Sequence, residues 1–207
     1  MKRYVLAVAL AALAIAPMTT HAQKGWKYRA DRSTTVNDPD APGDIKFMEM
    51  GGGFHAINPT AAVYWNPANT ATGNYTLKGT FKLMKPSGHT NYYGLVFGGS
   101  NLDGPTQAYT YFLVGQDGSW LIKKRDGDTA TSSVAPKTKN AAVKAPGADG
   151  TSVNALEVRV GADKVDFVVN GEVVNSQPKS AVKTDGIAGI RVNHQLEVMI
   201  TGFAVGK

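Results

Sequence analysis

The sequence predicts an all-β fold, a two-sheet antiparallel jelly-roll sandwich in one domain, and three observations carry that reading. Asn170-Gly171 lies between two β-rich runs at 165–169 and 172–175. That dipeptide is the strongest short-range hairpin signal, because both central residues of the tight turn need φ > 0. Short runs rich in Val, Ile, Tyr and Phe recur from Ile45 to Val205, separated by Gly, Asn, Asp and Pro. Almost no window carries a helical period, which argues for a sandwich over an α/β fold.

Taken in order, residues 1–22 read as a signal peptide. Lys2 and Arg3 form a basic start, 5–16 is uncharged and apolar, and Thr20-His21-Ala22 offers small residues for cleavage. An apolar run of about a dozen residues falls short of the ~20 that span a bilayer. The expected product is soluble, not inserted in a membrane after cleavage, and periplasmic or secreted. Residues 23–44 form a polar, extended lead-in broken by Asp38-Pro39-Asp40-Ala-Pro42-Gly43, and 45–207 form the sandwich domain. Strands are expected at 45–50, 54–57, 62–65, 75–84, 92–97, 108–114, 120–125, 155–160, 165–169, 172–175, 187–192 and 196–205. Gly51-Gly-Gly53, Asn66-Pro67, Pro86-Ser-Gly88, Gln116-Asp-Gly118, Asp126-Gly127 and Gly161 punctuate them. The stretch near 128–152, rich in Ala, Thr, Ser, Lys and Pro, reads as a long surface loop with one short strand around Val143.

Composition narrows the function. With no Cys, disulfides, lipid-modified Cys and thiol catalysis are excluded. The net charge is +6, yet the basic residues are scattered, with Lys123-Lys124-Arg125 among the densest groups. Scattered charge solvates a surface and does not track a phosphate backbone, so no nucleic-acid partner is expected. A monomer is expected.

Tyr93-Gly-Leu-Val-Phe97, Tyr109-Thr-Tyr-Phe-Leu-Val114 and Asp117-Gly-Ser-Trp-Leu-Ile-Lys-Lys-Arg125 follow one another in an order that resembles the concanavalin A-like lectin/glucanase superfamily. Asn154-Ala-Leu-Glu-Val-Arg-Val160, Val165-Asp-Phe-Val-Val-Asn-Gly171 and Gly186-Ile-Ala-Gly-Ile-Arg-Val192 are similar to its later strands. The resemblance covers about residues 75–205. It implies a curved jelly roll whose concave face, in many relatives, holds carbohydrate. The relatives include laminin-G-like modules, glucanases and 3-keto-glycoside hydrolases.

The residues themselves weigh against catalysis. A retaining glycosidase needs two carboxyl groups about 5–5.5 Å apart, commonly two or four places apart on one strand. The four Glu residues, Glu49, Glu157, Glu172 and Glu197, have no such partner within their own strands. A cross-strand pair such as Glu157 with Asp166 is the remaining route. His55, His89 and His194 lack metal-ligand spacing, so no metal or other cofactor is expected. Calcium is left open at Asn101-Leu-Asp103-Gly and Asp126-Gly-Asp128, which otherwise read as β-turns.

Strand alternation sorts the binding candidates. If the apolar sets of 109–114, 120–125 and 187–193 face the core, then Tyr109, Tyr111, Lys123, Arg125, Arg191 and Asn193 share the outer face. Tyr rings would stack on sugars while Arg and Asn bond their hydroxyls. The plainer alternative is that both Tyr residues are core and the charges only solvate a convex surface. The expected function is non-catalytic binding of carbohydrate or cell-envelope glycan. A glycoside hydrolase, with 3-keto glycosides among its substrates, and a structural or protein-interaction module are the alternatives.

Overall fold

The computed structural model describes residues 25–33 and 36–207, so the expected signal peptide at 1–22 lies outside the described residues. In chain order the strands are β1 (Lys27–Asp31), β2 (Lys46–Met50), β3 (Gly53–Asn58), β4 (Ala61–Ala71) and β5 (Tyr75–Lys85). Then come β6 (Tyr92–Ser100), β7 (Ala108–Gly115), β8 (Ser119–Asp126), β9 (Ala130–Lys139) and β10 (Ser152–Val160). The last four are β11 (Lys164–Val169), β12 (Glu172–Pro178), β13 (Gly186–Val192) and β14 (Leu196–Gly206). One 3-10 turn, Lys179–Ala181, is the one helical element among the described residues.

The strands form two seven-stranded sheets, β1-β4-β13-β6-β7-β8-β9 and β12-β11-β10-β5-β14-β3-β2. Every pairing is antiparallel. The core between the sheets follows directly from alternation. Leu77, Phe81 and Leu83 of β5, Leu156 and Val158 of β10, and Phe167 of β11 point in from one side. Tyr93, Leu95 and Phe97 of β6, Phe112 and Val114 of β7, and Ile190 and Val192 of β13 meet them from the other. This is the predicted two-sheet antiparallel sandwich.

Asn170 and Gly171 join β11 to β12 with φ of 50° and 87°, the left-handed pair that a tight hairpin requires. A Cβ added at Gly171 would meet nothing within 4 Å, so only backbone strain opposes substitution there. Gly171→Val is therefore expected to destabilise the domain by about 1–3 kcal/mol. A thermal melt indistinguishable from wild type would remove this turn from the features that hold the fold.

Three segments differ from the sequence reading. Within the 23–44 lead-in, a strand forms and pairs: β1 lies along β4 with Lys27 opposite Trp65 and Asp31 opposite Ala61. The 128–152 loop is corrected, because residues 130–139 form β9 on the edge of the first sheet. Ala135 is buried at 3% exposure while most of β9 lies open, so its Ser, Thr, Lys and Pro residues give no apolar alternation to detect. Such polar, Pro-bearing strands are characteristic of sheet edges. Val143 is not in a strand; it is a buried side chain packed against the core from the turn after β9. Asn66-Pro67 does not end a strand either. β4 runs through it to Ala71, and Pro67 falls where the pairing with β13 slips between Gly189↔Trp65 and Ile187↔Thr70. A bulge leaves no ladder N–H for proline to withhold.

Candidate functional site on the recessed face of the first sheet

The outer face of the first sheet is unlike an ordinary solvated sheet surface. Val63 and Trp65 of β4, Val96 of β6, Tyr109, Tyr111 and Leu113 of β7, and Leu121 of β8 form a second buried apolar cluster there. On the outer face of the other sheet, Met84 and Val153 stand exposed.

Strand spacing explains the contrast. Asp31 on β1 and Arg125 on β8 are five strands apart in the sheet order. In a flat sheet that is about 24 Å, at ~4.8 Å per strand. Yet Asp31 Oδ1 lies 2.7 Å from Arg125 Nη2. The sheet must curl until β1 and β8 come within side-chain reach across the face. Arg29 repeats the crossing, donating to Gly104 O and placing Nη2 2.6 Å from Asp128 Oδ1.

All six residues singled out by alternation lie on this face. Arg191 is the hub. Its Nη2 bonds Asp31 Oδ2 at 2.6 Å, its Nη1 donates to the Tyr109 hydroxyl at 2.9 Å, and its Nε donates to Asn193 Oδ1 at 3.2 Å. Its guanidinium carbon stands 5.4 Å from the centre of the Tyr111 ring. In register, Lys123 is opposite Tyr111 and Arg125 opposite Tyr109. Asn193 reaches on toward Asn91, donating to its Oδ1 at 3.5 Å.

The electrostatics follow from this packing. Burial alone would raise the Asp31 carboxyl, but Arg191 and Arg125 outweigh it and hold the group below the usual carboxylate range. Burial likewise works against the Arg191 charge, yet Tyr109, Asp31 and Tyr111 keep the guanidinium protonated above its ordinary value. Burial pushes the Tyr111 hydroxyl up, with Arg191 opposing. Arg125 Nε is buried with no hydrogen-bond partner, so one donor of the cluster is unused. On this face Arg29, Lys123, Arg125 and Arg191 stand against two carboxylates, Asp31 and Asp128.

One expectation is corrected. Tyr109 and Tyr111 share the outer face but are not open stacking platforms, at 3% and 7% exposure. Their rings pack against each other, 5.7 Å between centroids, beneath the Arg191 guanidinium. Nor do Arg125 and Arg191 merely solvate a convex surface, since both are largely enclosed. The openings of the face are at the half-buried Lys123 and Asn193.

Sequence reasoning missed Arg29 and Asp31. A weak signal was present: Trp26, Tyr28 and Ala30 alternate with Lys27, Arg29 and Asp31, a period of two in the lead-in. The two carboxylates of the cross-strand glycosidase alternative, Glu157 and Asp166, lie away from this face. Glu157 and Asp166 are engaged by Arg159 at 2.8 Å and Lys164 at 2.9 Å respectively. Both belong to the second sheet. Glu197 pairs with His55 at 2.9 Å. Asp31, held ionised between two arginines, is a poor proton donor.

No protein-family model matches the sequence, and no curated protein does. Among solved structures, the fold is similar to the carbohydrate-binding module CBM66 from Bacillus subtilis, with TM-score 0.61 and 11% identity over 88% of this chain and 96% of that one. A Bacteroides ovatus GH16 protein of a mixed-linkage glucan locus gives TM-score 0.57 at 10% identity, covering 88% and 94%. The endo-β-1,3-glucanase from Pyrococcus furiosus gives 0.56 at 10% identity, covering 86% of each chain. At such identities the likeness is one of fold, and that fold is the concanavalin A-like jelly roll.

Proposed function

We propose that the protein is an exported, non-catalytic glycan-binding module whose ligand is held by the recessed face of the first sheet. The observation that carries the reading is the Arg125–Asp31–Arg191 cluster set over Tyr109 and Tyr111, with the half-buried Lys123 and Asn193 beside it. A sugar offers many hydroxyl acceptors and donors, and donors already fixed by neighbours lose little freedom on binding. The surplus of positive charge favours an acidic sugar over a neutral one. The fold is shared with a carbohydrate-binding module and with glucanases, which fits glycan recognition without choosing between binding and cleavage.

An array of neutral and acidic glycans is the first test, followed by calorimetry on the strongest binder. Lys123→Ala and Asn193→Ala are the informative variants, because both side chains are half-buried rather than core. Each is expected to weaken binding by about 1–3 kcal/mol; the melting temperature stays close to wild type for Lys123→Ala and falls for Asn193→Ala, which strips an acceptor from the buried Arg191. Tyr111→Ala is less informative, since its ring is part of a buried cluster. An array with no binder, or affinity unchanged in both variants, would overturn this reading.

A further inference from the structure

We infer that Asp38, His89 and His194 form a binding site for a divalent first-row transition-metal ion. This site stands apart from the glycan reading and does not depend on it. Its three residues come from three separate segments: the lead-in between β1 and β2, the β5–β6 connection, and the β13–β14 turn.

The geometry is a small triangle of ligand atoms. Asp38 Oδ1 is 2.7 Å from His89 Nε2 and 3.0 Å from His194 Nε2. The two Nε2 atoms are themselves 3.0 Å apart. With metal–ligand bonds of about 2.1 Å, neighbouring positions of an octahedron lie about 3.0 Å apart. Two imidazoles and one carboxylate on one triangular face are the donor set of the facial triad.

Protons alone do not satisfy this triangle. Each Nε2 carries at most one hydrogen. If both carry one, two N–H groups face each other at 3.0 Å. If either is bare, its lone pair faces the carboxylate's across 2.7 or 3.0 Å, a repulsion that remains at His89 even though its Nε2 can also accept from Asn91 Nδ2 at 3.0 Å. A cation at the centre turns all three contacts favourable.

A second, independent observation concerns Asp40. Its Oδ1 is buried with no hydrogen-bond partner and lies 3.5 Å from His194 Nδ1, while its Oδ2 accepts from Ser33 N at 3.0 Å. A carboxylate behind the far nitrogen of a histidine is the arrangement that orients metal-bound imidazoles. The donor chemistry excludes the harder cation: Ca2+ takes 6–8 oxygen ligands, and this cluster offers one carboxylate and two nitrogens.

Exposure grades across the site, from His194 at 7% to His89 at 44% and Asp38 at 50%. The ion would be anchored on the protein side and open to exchange on the other, unlike a closed structural site. A cleft of about 470 Å³ lies alongside, lined in part by Ala41, Gly88 and Gln195, each next in sequence to Asp40, His89 or His194.

The test uses the whole chain stripped with EDTA and titrated with Zn2+ by calorimetry and with Co2+ by visible absorption. One ion per chain is expected, with a rise in melting temperature for Zn2+ that Ca2+ does not produce. His89→Ala, whose side chain is 44% exposed and outside the core, is expected to keep the fold and weaken Zn2+ binding by about 100-fold, and Asp40→Asn by about tenfold. His55→Ala, paired with Glu197 elsewhere, should bind as wild type does. Binding that survives His89→Ala, an absence of binding to the wild-type chain, or equal stabilisation by Ca2+ would each overturn the inference.

Discussion

Asp31→Ala is expected to lower folding stability by about 3–5 kcal/mol, because removing one partner of an enclosed ion pair leaves uncompensated charge behind. The effect is doubled in kind here, since one carboxylate serves both Arg125 and Arg191. The same contacts predict an acid limb. The folded-state pKa of Asp31 is depressed below its usual value of 3.8. Its contribution is therefore complete above that value and is lost as pH falls through the lower, folded-state pKa. Asp117 and Asp166 are also held low and titrate in the same window. At Asp117, Lys137 and Ser119 prevail over burial; at Asp166, Ser176 and Lys164 lead. The readout is accordingly the difference between wild type and variant in urea unfolding at pH 7 and again below pH ~3.8. A gap that is large at neutral pH and closes in acid is expected. A gap that does not change with pH would mean that Asp31 acts through packing and not through its charge.

Phe112→Ala is the second large effect. Phe112 is fully buried on β7, and its ring meets Phe167 of the opposite sheet edge-on, 5.2 Å between centroids. The pair joins the two layers, so truncation opens a cavity that neither sheet can close alone. A loss of about 3–5 kcal/mol is expected, or a fall in melting temperature of roughly 10 °C for a domain of this size. Glycan binding by the surviving folded fraction should be unchanged, because Phe112 points away from the recessed face. A shift of only a degree or two would mean that the layers repack around the gap.

Local pattern accounts for much of what was legible. Alternation within β7, β8 and β13 was enough to group Tyr109, Tyr111, Lys123, Arg125, Arg191 and Asn193 on one face, because period two is a property of each strand by itself. What alternation does not encode is curvature. The sheet's curl buries the two Tyr rings and brings Asp31 onto Arg125, and it arises from seven strands acting together. β9 was illegible for a different reason: as an edge strand it buries little and carries polar residues on both faces. Asp38, His89 and His194 follow no spacing rule, since two turns and the lead-in meet at one end of the sandwich. The hairpin at Asn170-Gly171 was legible because its whole cause lies in two adjacent residues.

The closing of the recessed face also bears on the order in which the chain can fold. Asp31 and Arg191 are 160 residues apart in sequence, and Asp31 and Arg125 are 94 apart. A chain emerging N-terminus first therefore holds Asp31 without Arg125 until more than half of it has been made, and without Arg191 until nearly all of it has. Contacts of such long range are reached late and slowly, since loop closure comes before any of the interaction energy it releases. The first strand can pair with β4 early, but the ionic clasp that closes the face over it forms only once β13 is in place.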